Sequence, residues 1–156
     1  MTALKAYELI TRGGATDFAK LIEACESFGP YCLIGGLAVN CYVEPVYTLD
    51  ADIVVKEHPH TVNGLGQGSE LRIQFTTDEI YQAFLARSVE SQVLGIRVRI
   101  ACLEDVTRGK LWAYSDPQRR LSKRKKDELD LIRLAEAHPE LRSLYPSELQ
   151  EQLDRG

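Results

Sequence analysis

Residues 31–55 constrain this chain more than any other stretch. Residues 31–34 form a short apolar run that reads as a buried strand, and Gly35-Gly36 stops it and opens a turn. Glycines allow unusual backbone angles and let a ligand's phosphates approach bare N–H groups. Residues 37–43 then predict a short apolar helix whose N-terminus faces the turn and whose end is set by Pro45. Residues 46–55 predict a second strand carrying Asp50 and Asp52. Side chains alternate along a strand, so these carboxylates share one face, about 7 Å apart, while Leu49, Ala51, Ile53 and Val55 take the other. Paired carboxylates repel unless a cation lies between them, and such an oxygen-rich pair suits Mg²⁺ or Mn²⁺. The sequence offers no obvious partner for the pair, which predicts poor neutralisation without metal. Each half of the signal has a bland reading, a tight turn and a solvated strand edge; their order is the specific feature.

The chain has 156 residues, enough for one domain with its own core, and its 44% hydrophobic and 27% charged residues are those of an ordinary globular protein. A net charge of −4 excludes a general polyanion binder, so any nucleotide or nucleic-acid contact must come from a local patch. Cys25, Cys32, Cys41 and Cys102 lie mostly in apolar stretches without Cys-x-x-Cys spacing, which predicts free thiols in a reducing cytoplasm. No signal peptide is expected, and no apolar run approaches the ~18 residues that span a bilayer.

Residues 3–11 predict a short helix. Thr16 predicts the cap of an amphipathic helix whose buried stripe is Phe18, Leu21, Ile22, Cys25 and Phe28. After Asp52 the next strand is residues 71–75, and residues 56–70 show no helical period. Two strands of an α/β sheet normally need a longer, usually helical crossover. The gap is therefore read either as antiparallel pairing through a long loop or, preferably, as a segment absent near residues 56–59. His58 and His60 in this stretch read as exposed. Thr76-x-x-Glu79 predicts a capping box for a helix over residues 78–87 that buries Ile80, Phe84 and Leu85. Residues 91–93 and 96–101 flank Leu94-Gly95 as a hairpin. Helices follow at 103–114, 119–137 and from Ser147, the last with a Ser147-x-x-Gln150 box. The order implies an α+β (α/β-like) fold with a core at about 16–101 and C-terminal helices at about 103–155.

Residues 119–126 hold six basic residues, Arg119, Arg120, Lys123, Arg124, Lys125 and Lys126. They read equally as a solvated face, with Lys123–Asp127 and Lys126–Asp130 as i, i+4 pairs, or as a phosphate-binding patch.

The order strand, Gly-Gly, helix, strand, Asp-x-Asp, with thirteen residues between Gly36 and Asp50, resembles the nucleotidyltransferase superfamily, most closely its AbiEii-like and minimal prokaryotic members. The resemblance runs over about residues 31–136, including Leu103-Glu-Asp-Val-x-x-Gly-Lys-Leu-x-Ala and the basic helix after it. It implies a small mixed sheet with flanking helices, nucleotide phosphates on Gly35 and Gly36, and Mg²⁺ or Mn²⁺ on Asp50 and Asp52 as the catalytic pair. By the same carry-over Lys110, Lys123 and Lys126 contact the triphosphate. For Trp112, read from the residues themselves, core packing is the expectation. The implied activity moves NMP from an NTP to a hydroxyl of RNA, protein or a small molecule. Active relatives carry a third carboxylate on the neighbouring strand, where this chain has Gln74 or Arg72. Asp78 and Glu70 lie at that strand's ends, and the hairpin offers only Arg97 and Arg99. A nucleotide-binding module without turnover, or one half of a toxin–antitoxin pair, is the alternative. In a third reading the glycines and aspartates are structural only.

Overall fold

The computed structural model describes residues 3–58 and 69–156. Two helices come first, α1 (Ala3–Ile10) and α2 (Gly14–Phe28). Thr16 does not cap α2: the helix begins at Gly14 after a left-handed Gly13, and the Thr16 amide and hydroxyl donate to the Glu8 carboxylate. The buried stripe is Phe18, Leu21, Ile22 and Cys25. Phe28 departs from expectation and is exposed, because it is the last helical residue before the chain turns at Gly29.

The sheet contains β1 (Tyr31–Ile34), β2 (Asp50–Val55), β3 (Arg72–Thr76), β4 (Val89–Val93) and β5 (Ile96–Ile100), in the order β3-β2-β1-β5-β4. β1 runs antiparallel to β2 and parallel to β5, and β4 and β5 form the predicted hairpin. β2 and β3 pair parallel, with Asp50 opposite Arg72 and Asp52 opposite Gln74, so the antiparallel alternative is wrong. Pro59, His60, Gly64, Gly66 and Gly68 fall outside the described residues, as does the end of the stretch read as interrupted at 56–59. His58 is exposed, as expected.

β2 is shorter than expected because Val46 and Thr48 spend backbone hydrogen bonds on side chains. The Asn40 amide brackets Val46, donating to its carbonyl at 2.7 Å and accepting from its N–H at 3.1 Å, and the Tyr7 hydroxyl donates to the Thr48 carbonyl at 3.0 Å. Helix α3 is also short, Gly35–Val39, and residues 40–43 continue it only as turns. At that length its dipole is a minor attraction for anions.

Helix α4 (Glu79–Arg87) follows β3, then α5 (Leu103–Ser115), α6 (Leu121–Ala137), a 3-10 turn (Pro139–Leu144) and α7 (Ser147–Arg155). Neither predicted capping box forms. The Thr76 hydroxyl accepts from the Asp78 N–H in a local turn, and α7 starts behind Pro146, with the Gln150 amide donating to the Tyr145 carbonyl. Ile80, in the first turn of α4, is exposed; Phe84 is the buried residue of that helix. Trp112 is half-exposed and stacks on Phe84 with centroids 5.6 Å apart, while Tyr81 meets its edge at 5.4 Å. The core joins Phe18, Leu21, Leu33, Ile53, Val98 and Ile100 to Leu131 and Leu134 of the C-terminal helices. All four cysteines are free thiols, Cys25 and Cys32 buried. Among the described residues no helix is long and apolar enough to cross a membrane.

Asp105, in the first turn of α5, is fully buried and binds α4 to α5. Arg87 grips it with two bonds of 2.8 and 3.0 Å, and Arg108 adds one of 3.0 Å. Burial alone would push its carboxyl up; hydrogen bonds from Arg87, Cys102 and Arg108 outweigh that and hold it below the ordinary carboxylate range. Asp105→Ala removes both bonds to Arg87 and the one to Arg108, and is expected to lower the midpoint of urea melts at neutral pH. A lowered carboxylate stabilises above its unfolded pKa and loses that effect as pH falls through its folded one. The gap between wild type and variant should therefore close in strong acid.

Candidate functional site

Asp50 and Asp52 project from one face of β2 into a cleft of about 280 Å³. Its floor includes Gly35 and Gly36, and Gln74, Thr76, Asp78, Tyr81 and Lys110 contribute to its walls. Arg119, Lys123 and Lys126 reach it from the loop before α6 and from α6 itself. The alternation that buries Ala51 and Ile53 is what leaves both carboxylates on the open side. The cleft is slightly smaller than the ~300–1,000 Å³ of typical small-molecule pockets.

The two glycines are not equivalent. Gly35 has φ +73, and a Cβ there would lie 2.6 Å from Oδ2 of Asp52. Glycine is required on both counts, backbone angle and proximity to the carboxylate. At Gly36 a Cβ would meet Thr48 at 3.5 Å, an ordinary contact.

The expectation of a poorly neutralised pair fails at Asp50. Its Oδ1 lies 2.9 Å from Nε of Arg72, the residue opposite it on β3, and its Oδ2 lies 3.6 Å from Nζ of Lys123. Asp52 has no such direct pair among the described residues. Burial pushes its carboxyl up and the charge of Asp50 adds to this, with Lys110, Lys123 and Arg119 opposing.

Lys110 is 8% exposed, and its ammonium sits 3.2 Å from Asp127 and 2.8 Å from Asp130. Arg119 donates to Asp127 as well, and Arg133 donates to Asp130 at 2.9 Å. The expected i, i+4 pairs are replaced by this arrangement: Asp127 and Asp130 turn inward to a lysine from the neighbouring helix. Lys123 is thereby left for Asp50, and Lys126 lines the cleft with no ion pair among the described residues. Lys110 contributes charge from behind the wall while anchoring α5 to α6.

Asp50, Asp52 and the amide oxygen of Gln74 are hard donors suited to Mg²⁺ or Mn²⁺. Two carboxylates fit a cation whose shell is completed by ligand phosphates, whereas an all-protein cage would need more. Among the described residues no group of three or more His, Cys, Asp or Glu gathers as a metal set. Asp78 lines the cleft, but Glu70 lies apart, 3.6 Å from Arg12. Thr48, Thr76, Tyr81 and Arg119 line the cleft without having been singled out from sequence. Arg119 was visible in the basic run; the others carry no local signal.

Gly35→Ala is expected to destabilise by about 1–3 kcal/mol, from the left-handed backbone and the clash with Asp52, with Gly36→Ala within about 1 kcal/mol of wild type by thermal melts. Lys110→Ala should cost about 1–3 kcal/mol by removing one of the two cations that hold each of the buried Asp127 and Asp130, against under about 1 kcal/mol for Lys126→Ala, in the same melts.

No family model matches the chain, and no curated protein matches it. Among solved structures it is similar to an antigenic nucleotidyltransferase-like protein from Paracoccidioides brasiliensis, at 19% identity, over 90% of this chain and 85% of that one, with a TM-score of 0.49.

Proposed function

We propose that the cleft binds a nucleoside triphosphate and that the protein is a nucleotidyltransferase, moving NMP to a hydroxyl of RNA, protein or a small molecule. The observation that carries this reading is the meeting of Gly35, the Asp50–Asp52 pair and the cations Lys123 and Lys126 in one cleft. The bare backbone at Gly35 and Gly36 admits the phosphates closely, and Lys123 and Lys126 bind their charge. A Mg²⁺ or Mn²⁺ held by Asp50 and Asp52 would neutralise charge building on the phosphates. The acceptor oxygen forms a bond to the α-phosphorus as the bond to the bridging oxygen breaks, and pyrophosphate leaves with that electron pair. The hydroxyl proton leaves to solvent, since the cation would engage both carboxylates.

A second reading is favoured by the register of β3. Gln74 stands opposite Asp52 and Arg72 opposite Asp50, so neither position supplies a third carboxylate. The same cleft would then retain nucleotide without turnover, as a binding module or a toxin–antitoxin component.

Incubation with α-³²P-labelled NTPs, Mg²⁺ or Mn²⁺, and cellular RNA or protein tests both. Transfer of label, lost in Asp52→Asn and raised in Gln74→Glu, is expected for the enzyme. Nucleotide binding with no transfer in either wild type or Gln74→Glu would establish the binding module. Lys126→Ala should weaken nucleotide binding about tenfold at low salt and less at high salt, read by calorimetry.

A further inference from the structure

Asp50 does not face the cleft as a free ligand: each carboxylate oxygen already has its own cation, from a different element. Arg72 is 68% exposed, does not line the cleft, and reaches Asp50 from the adjacent strand at 2.9 Å. Lys123 does line the cleft, and its longer 3.6 Å contact comes from α6. We propose that Arg72 and Lys123 form a cationic lock on Asp50 that keeps a divalent cation off it until a polyphosphate draws Lys123 away, so that ligand entry is ordered.

This rests on the cleft being a triphosphate site, and charge arithmetic carries it. The one negative charge of Asp50 already faces the two positive charges of Arg72 and Lys123, so this carboxylate is compensated without ligand. A divalent cation alone adds two positive charges beside an ammonium and a guanidinium, which disfavours it. A triphosphate supplies the opposite charge and offers Lys123 a partner of higher charge than one carboxylate. Lysine is a point charge on a flexible stem and can change partner, whereas Arg72 touches Asp50 through Nε alone from the adjacent strand, outside the cleft. Arg72 is thus a positioning residue that keeps Asp50 oriented, and Lys123 is the exchangeable bolt.

The test measures Mn²⁺ binding to the full chain without nucleotide, by the electron paramagnetic resonance signal of free Mn²⁺. Wild type should bind weakly. Lys123→Gln and Arg72→Gln should each tighten Mn²⁺ about tenfold, the charge-conserving Arg72→Lys should stay near wild type, and Asp50→Asn should abolish the gain in the Lys123→Gln background. In parallel, inorganic tripolyphosphate titrated in EDTA should bind wild type and Arg72→Gln alike and Lys123→Gln about tenfold more weakly. Both substituted side chains are substantially exposed, so the variants should fold, which melting curves check. If Mn²⁺ affinity is unchanged or reduced in both glutamine variants while tripolyphosphate still binds, the lock is refuted and the triphosphate site stands. If tripolyphosphate does not bind wild type at all, the site reading falls and the lock with it.

Discussion

The cleft depends on a buried lysine. Lys110 of α5 is held between Asp127 and Asp130 of α6, and this fixes how α6 is rotated against the rest of the molecule. With the two aspartates turned inward, Lys123 and Lys126 are left on the side that faces β2. Arg119 and Arg133 bind the same carboxylates from either end, so the rotation is set by several charge-assisted bonds. Such a network adds little to stability over apolar packing of the same volume.

The second determinant is the register between β2 and β3. Parallel pairing sets Asp50 beside Arg72 and Asp52 beside Gln74, which gives two neighbouring carboxylates different surroundings. Asp50 carries two cations; Asp52, also half-buried, carries no direct pair among the described residues, and desolvation pushes its carboxyl up. A nominally repulsive pair is thereby divided into one anchored charge and one without a direct ion pair among the described residues.

The site was legible in sequence where chemistry was local. Alternation along β2 placed both aspartates on one face, and Gly35-Gly36 marked the turn because glycine is the residue such a turn needs. Most helices were legible from their periodicity. What local reasoning missed was tertiary. Lys123–Asp127 and Lys126–Asp130 match the helical pairing rule, yet Asp127 and Asp130 found a buried partner on another helix. Residues 46–49 look like strand, but the Asn40 side chain and the Tyr7 hydroxyl claim part of their backbone. The direction of β3 could not be read at all, since pairing between distant strands leaves no local trace.

The Tyr7 hydroxyl has a consequence for the first helix. Burial, with the nearby Tyr47 and Asp50, pushes its pKa up to about 12, so the phenol keeps the proton it donates to the Thr48 carbonyl. Thr48 lines the cleft, two residues before Asp50. Helix α1, otherwise far from the chemistry in sequence, is therefore a brace for the rim. Loss of that single phenol would free the Thr48 carbonyl and slacken the rim of the cleft beside β2 while leaving the hydrophobic core largely intact.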